Sequence, residues 1–495
     1  MNKIKKIANN LITPGETLSQ KVVKGGFWVF FLKIVNRGFS LIRLIILARI
    51  LSPNDFGLMG IALLTMSTLE TFSQTGFQAA LIQKKKDVKS YLDSAWTVLI
   101  LRGFILFTIL YFIAPYAAIF FDAPKAKLII QVIGFSMFFG AFTNIGVIYF
   151  RKELEFNKEF IYQLSGTLAD FVVAVTAVLI LKNVWALVLG LLAGNMVRSF
   201  VSYLIHPYRP HLSSDLRKAK ELFGFGRWIL GSSIIVFLAT QGDDIFLGKV
   251  LGVTALGFYQ MAFRFANLPG SEIGVLSRIA FPTYSKLQDN IPKLRRMYLK
   301  MVRFITFLSI PFAGGIFVLA PAFTHIFLGE KWMPMISALR ILAISAVVRV
   351  MVATGGALFN AVGRPDIDFK MNLARVSTLA VVIYPLTMLW KISGTSLAVL
   401  LAVCACIPIW IIGSKKEAKV EIRDYFKILL PSLIGTAIMF AVLFVLGMAF
   451  NQFELVGFLV SVAVGTATYL SFNLRVQNSS DYTVFKDIKF IFNSL

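Results

Sequence analysis

Two cysteines and three histidines in a chain of 495 residues leave little from which to build a redox, metal or disulfide site. Cys404 and Cys406 are two apart on one predicted helix and so point to different faces. His206, His211 and His325 are scattered at predicted helix ends, none with a ligand partner at a useful spacing. No metal or other cofactor is therefore expected. Charge is scarce too, at 15% of residues, and the longest polar connections, roughly 207–225, 284–300 and 414–425, are too short to bury a soluble core. No P-loop, dinucleotide fingerprint or nucleophile motif stands in a fitting context, and no connection is long enough to carry acid/base groups. The chain is not expected to be an enzyme.

What the chain has instead is apolar length. Hydrophobic residues make up 57% of it, with 47 phenylalanines, far from the usage of soluble globular domains. In lipid every backbone N–H and C=O must be satisfied internally, so only helices and closed barrels can span. The apolar runs are too long for barrel strands and suit helices of about 20 residues. Between polar punctuation they predict fourteen spans, at roughly 27–51, 56–82, 92–121, 126–150, 159–181, 183–205, 227–251, 256–283, 301–327, 336–361, 369–390, 392–413, 426–450 and 454–474. The expected fold class is an all-α integral membrane protein.

Basic residues outnumber acidic ones, 50 against 25, for a formal net charge of +25. With the N-terminus taken as cytoplasmic, 31 of the 50 fall in connections on that side and 14 within spans. Only five, Lys125, Lys127, Lys182, Lys331 and Lys391, fall on the other side. This is the positive-inside pattern, repeated at each alternate connection, and it predicts cytoplasmic termini. It also makes anionic lipid headgroups, not nucleic acid, the partner of the basic loops. The first 24 residues are polar and lysine-rich, so no cleavable signal peptide is expected. Ile4, Ile7, Ala8 and Leu11 share one helical face, which suits either an amphipathic segment on the inner membrane surface or a frayed tail.

An internal repeat is also present. "LARILSPNDFGL" at 47–58 aligns without a gap on "LGKVLGVTALGF" at 247–258, an offset of 200 residues. Leu47/Leu247, Leu51/Leu251 and Gly57/Gly257 are identical, Arg49/Lys249 keeps the charge, and Gly26 with Trp28 recurs as Gly226 with Trp228. Six predicted helices per copy return the chain to the membrane in the same orientation, the parallel-repeat plan of several transporters. The organisation expected is a cytoplasmic segment 1–26, a first lobe 27–206, a linker 207–225, a second lobe 226–414, a cytoplasmic loop 415–425, two further helices within 426–476 and a cytoplasmic tail 477–495.

Several stretches point to one family: "ILARILSPNDFGLMGIALL", "GFQAALIQKKK", "YFRKELEFNKEF" at 149–160, "GDDIFLGKVLGVTALGFYQMAFRFANLP" and "FPTYSKLQ". In this order, and over nearly the whole chain, they resemble the polysaccharide-transport branch of the MOP flippase superfamily, the oligosaccharide exporters of the WzxC and TuaB type. The resemblance implies a V-shaped, two-lobed, alternating-access protein of the bacterial cytoplasmic (inner) membrane. Such a protein turns over undecaprenyl-pyrophosphate-linked oligosaccharide for capsule, exopolysaccharide, O-antigen or a similar polymer, with a proton or sodium gradient as the energy source. The implied partners are the lipid-linked substrate and a polymerase and chain-length regulator of the same pathway. The alternative is a cation-coupled small-molecule exporter of the MATE branch, whose cavity would be apolar or anionic.

The first predicted span holds four cations, Lys33, Arg37, Arg43 and Arg49. At about 100° per residue Lys33, Asn36, Arg37, Ser40 and Arg43 occupy one arc of about 120°, while Arg49 lies off it near the outer end. Each intramembrane cation costs roughly 2.5–3.5 kcal/mol on insertion scales, so three on one arc should face protein or an aqueous cavity. Two readings fit: internal ion pairs, or a cationic face for the pyrophosphate that the resemblance implies, held bidentately by guanidinium groups. Related lipid-II flippases line a cationic cavity with arginines of the first helix, which favours a substrate-binding role for Lys33, Asn36, Arg37 and Arg43, together with Arg264 of the eighth span.

At the 200-residue offset Arg43 corresponds to Asp243, and Asp244 lies beside it. The two carboxylates could pair with first-lobe arginines or bind the coupling ion. Glu70 with Gln74 and Gln78, and Asp170 with Gln163 and Thr167, form polar stripes, so both acids join the candidates for ion coupling or salt bridging. Many relatives have an acid where this chain has Gln74, so no inherited ion role is expected there. Arg264, Asn267, Ser271 and Arg278 share a face of the eighth span, and Arg349 and Arg375 are single interior charges expected to pack or gate.

Overall fold

A computed structural model describes residues 18–73, 89–213, 235–268 and 280–479, and every regular element among them is helical. The chain divides into two compact units at Phe237/Leu238. The first holds α1 (Leu18–Ile50), α2 (Pro53–Phe72), α3 (Lys89–Phe120), α4 (Ala126–Ile133), α5 (Phe135–Ala141), α6 (Ile148–Lys152), α7 (Phe156–Leu181) and α8 (Trp185–Ile205). Helix α9, over 235–250, crosses the boundary. The second unit continues with α10 (Val253–Ala266), α11 over 280–287, α12 (Ile291–Phe323), α13 (Ile336–Ala361), α14 (Pro365–Cys404), α15 (Ile407–Ala418), α16 (Ile422–Ala449) and α17 (Leu455–Ser479).

Among the described residues, eight helices are long and apolar enough to cross a bilayer, or nine if the bent pair Ala126–Ala141 and Ile145–Lys152 is one span. The fold is thus a multi-pass helical membrane protein, without a count of fourteen established. One of the eight, Pro365–Ala418, is interrupted at Trp390 and Lys391 (φ −126° and 52°), where the apolar pattern predicts one span ending and the next beginning. Helix α1 is not among them. Its 33 residues would reach about 50 Å, but it carries the four cations.

The span expected as a continuous helix over 126–150 is instead bent by 71°. Asn144 causes the break. Its buried side chain accepts from Gly146 N at 2.9 Å and donates to Tyr208 O at 2.6 Å, while its own N–H donates to Ser202 Oγ at 2.9 Å. A short polar side chain that bonds nearby backbone offers the chain an alternative to the helical ladder. The polar stretch 284–300 also differs from expectation, being mostly helix. Asn290 caps Lys293 N at 3.1 Å, and Leu294, Tyr298, Met301 and Val302 fall at helical spacing and are buried, leaving the basic residues between them on the outer side.

The repeat is visible in both copies. Helix α1 ends at Ile50 and α2 starts at Pro53; α9 ends at 250 and α10 starts at Val253. In the first copy Ser52 and Asp55 form a reciprocal cap, Ser52 N donating to Asp55 Oδ2 at 2.9 Å and Asp55 N to Ser52 Oγ at 3.3 Å. In the second, Gly252 makes the turn at φ +82°, a region open to glycine at no steric cost.

Helices α7 and α8 cross closely in the first unit. Gly166, Asp170 and Ala174 on α7 meet Gly190, Gly194 and Arg198 on α8, both rows spaced i, i+4, i+8. A Cβ on Gly194 would lie 2.9 Å from Gly166 O and from Asp170 Cβ, so the backbones approach as only small residues allow. The second unit has an aromatic core around Tyr298, Phe359, Trp410 and Tyr425. Several of its polar atoms pair within it: Trp410 Nε1 donates to Tyr298 Oη at 2.7 Å, and Tyr425 Oη lies 2.8 Å from Ser414 Oγ.

Candidate transport site

In the first unit α1 packs on α7 through Trp28 against Phe160 (ring centroids 5.0 Å), Phe39 against Phe171 (5.3 Å) and Arg43 against Asp170 (2.9 Å, Nη2 to Oδ1). These contacts define a stripe that Arg43 borders. Lys33 and Arg37 lie about 80° and 120° around the helix from Arg43, and so away from α7. Both are half-buried, as is Asn36, whose Oδ1 has no hydrogen-bond partner among the described residues. The arc expected to act as one cationic face is therefore divided. Arg43, a candidate for holding substrate, is paired with Asp170 on the facing helix, the internal ion pair that is the other reading of the arc.

Asp170 also lies in the field of Arg198 from α8. The Nε atoms of Arg43 and Arg198 are buried without a hydrogen-bond acceptor among the described residues. Two guanidinium groups thus converge on one carboxylate where α1, α7 and α8 meet. Glu70 sits beside Arg102, which fastens the end of α2: Arg102 Nε donates to Ser73 O at 2.9 Å and Nη2 to Ser73 Oγ at 2.8 Å. A cation on the last carbonyls of a helix opposes the negative end of its dipole. Gln163 donates to Glu159 at 3.0 Å, and Gln74 and Gln78 lie outside the described residues.

In the second unit Asp243 is buried and accepts a 2.5 Å hydrogen bond from Tyr259 Oη. Arg349 and Arg375 both act on it electrostatically. The partners described for Asp243 thus come from its own unit. Asp244 faces Gln260 and Arg264. Arg349 and Arg375, expected to be isolated, line one cavity of about 600 Å³ together with Asp368, Asn360 and Asn372. The Arg349 guanidinium also stacks 4.9 Å from the Phe263 ring and donates to Asn267 Oδ1 at 3.5 Å. Ser271 and Arg278 lie outside the described residues. Arg198, Tyr259 and Asp368 were not singled out by sequence. Only Arg198 had a local signal, its place eight residues after Gly190 and four after Gly194.

Residues 46–337, more than half of the chain and including the aligned stretches 47–58 and 247–258, match the family described as polysaccharide biosynthesis protein. The chain belongs to that family. The lipopolysaccharide biosynthesis protein WzxC of Escherichia coli (strain K12) is 26% identical over 364 residues, 72% of this chain and 73% of WzxC. The teichuronic acid biosynthesis protein TuaB of Bacillus subtilis (strain 168) is 25% identical over 406 residues, 80% of this chain and 83% of TuaB. The lipid II flippase MurJ, in its inward closed conformation, superposes with a TM-score of 0.74 at 15% identity, over 92% of this chain and 99% of MurJ. At that identity the likeness establishes the fold alone. This member of the polysaccharide biosynthesis family thus has the MOP-type helical architecture that its motifs imply.

Proposed function

We propose that the chain turns over undecaprenyl-pyrophosphate-linked oligosaccharide from the inner to the outer leaflet of the bacterial cytoplasmic membrane, for synthesis of an extracellular polysaccharide. The observation that carries this reading is the placement of Lys33 and Arg37: two half-buried cations in a helix of spanning length, turned away from the α7 packing stripe. Such charges are retained in a membrane where they meet an anion or water. A pyrophosphate is an anion that such a face can take up, and Arg37 can grip it with two parallel N–H···O bonds. Family membership and the names of the polysaccharide-biosynthesis relatives support the same substrate class.

The Arg43–Asp170 pair holds α1 on α7, so that a change in the charge state of Asp170 would free α1 to move. In the second unit we take Asp244, beside Asp243 and facing Gln260 and Arg264, as the candidate for a coupling proton. Both termini lie in the cytoplasm in this reading.

The test is reconstitution into liposomes with a fluorescently tagged undecaprenyl-pyrophosphate oligosaccharide. Saturable, protein-dependent exchange of the tag between leaflets is the expected result. A protein that moves a cationic dye across the membrane while the tagged lipid stays in its original leaflet would overturn the proposal.

A further inference from the structure

The first unit carries a polar pocket at the end where α1 gives way to α2 and α7 to α8. It has a volume of about 410 Å³ and is lined in part by Asn54, Asp55, Lys125, Lys127, Asn183 and Trp185. Three separate connections build it, and Asp55 ties two of them together, its Oδ1 accepting from Val184 N at 3.2 Å. The other oxygen, Oδ2, accepts from Ser52 N at 2.9 Å and Ser52 Oγ at 2.6 Å. The one acid of the pocket is therefore spent on the scaffold and does not neutralise the lysines.

Lys125, Lys127 and the adjacent Lys182 are exposed, and none is engaged in an ion pair among the described residues. Their number is informative. Only five of the 50 Lys and Arg fall in connections on the side away from the basic loops, and these are three of the five. Insertion topology disfavours cations there, so a cluster kept against that bias calls for a reason at the site. Trp185 adds an indole with no ring contact and no hydrogen-bond acceptor among the described residues. The Asn183 amide offers a further polar group, although its Oδ1 already accepts from Trp185 N at 3.1 Å. An aromatic face, an amide and unpaired ammonium groups around a volume in the range of small-molecule sites suit a sugar that carries an anion.

We infer that this pocket binds an acidic sugar, one bearing a carboxylate, of the oligosaccharide once it has been turned to the outer face. The inference rests on the orientation and substrate class proposed above. The lysines hold the carboxylate, and the indole and the Asn183 amide hold the ring.

The experiment uses the full chain in nanodiscs, titrated calorimetrically with tetragalacturonate, with maltotetraose as the neutral probe of equal length, and with inorganic phosphate. Tetragalacturonate is expected to bind saturably and at least tenfold more tightly than either other probe. The double variant Lys125→Gln/Lys127→Gln and the single variant Trp185→Ala should each weaken it at least tenfold. In cells, a membrane-impermeant maleimide added outside should label Lys125→Cys. Equal binding of acidic and neutral probes, phosphate binding as tight as the sugar, unchanged binding in the double variant, or labelling only from the cytoplasm would each overturn the inference. The liposome exchange assay reads the parent proposal separately. Exchange without tetragalacturonate binding removes the pocket alone, while selective binding without exchange leaves a saccharide site and removes the flippase reading.

Discussion

Arg43 on α1 sets its Nη2 2.9 Å from Oδ1 of Asp170 on α7, with side-chain exposures of 20% and 27%. A pair this enclosed costs more to break than to omit, because removing one partner strands the other's charge. Arg43→Ala and Asp170→Ala should each lower apparent Tm and surface polymer, and the double variant should lose less than the sum of the two. A double-mutant cycle on denaturation is expected to give a coupling of about 0.5–3 kcal/mol. Strictly additive losses would show that the contact contributes nothing to holding α1 on α7.

The α7–α8 crossing makes a steric prediction with an internal control. A Cβ at Gly194 meets Gly166 O and Asp170 Cβ at 2.9 Å, whereas a Cβ at Gly38 of α1 meets nothing within 4 Å. Gly194→Val should sharply reduce the amount of folded protein in the membrane fraction. Gly38→Ala should leave it unchanged or raise it, since alanine is favoured over glycine inside a helix by about 1 kcal/mol. Fluorescence size-exclusion profiles of the two variants separate these outcomes.

Asp243 is balanced from within the second unit, so its compensating partner should be found there. Asp243→Asn leaves Arg349 and Arg375 facing each other with less countercharge, and Arg375→Gln removes one of the two. The double variant Asp243→Asn/Arg375→Gln should regain apparent Tm relative to Asp243→Asn alone, while Asp243→Asn/Arg43→Ala should not. Rescue by Arg43→Ala and not by Arg375→Gln would contradict the assignment.

His206 gives a pH dependence outside the spans. Its Nδ1 accepts from Tyr208 N at 3.1 Å and its ring stacks on Tyr149 at 5.7 Å between centroids. Burial, then Lys158 and, more weakly, Arg209 push the imidazole pKa down, against Glu155 and Glu153. With the folded value below the unfolded one of about 6.5, the unfolded chain binds more protons in between. The stability contributed is full above about pH 6.5 and is lost as the pH falls through the folded value. Apparent Tm should therefore drop more steeply between about pH 7.5 and 5.5 for the natural chain than for His206→Gln.

The sequence made legible whatever depends on one helix and its solvent. The repeat turn at 51–53 and 251–253, the interruption at Trp390–Lys391 and the cationic character of α1 all follow from apolar length, glycine and charge placement. What it could not show are meetings between helices far apart in the chain. Arg43 and Asp170 are 127 positions apart, so the periodicity of α1 could place Arg43 on an arc but could not say that α7 would bring a carboxylate to that edge. The pairing of Tyr259 with Asp243 likewise depends on how α10 folds back on α9, and the bend at Asn144 depends on Ser202 and Tyr208, which a hydropathy window around 126–150 does not contain.

Arg37 is the residue on which to test whether the side of α1 turned from α7 binds the anionic head of a lipid-linked saccharide. The measurement is surface polymer in a deletion strain complemented with Arg37→Glu or Arg37→Lys, normalised to protein in the membrane fraction. Arg37→Glu should abolish export with normal insertion, because it sets an anion where the pyrophosphate is proposed to bind. Arg37→Lys should keep part of the activity, since the charge remains and the bidentate fork is lost. Full export by well-expressed Arg37→Glu would contradict the account.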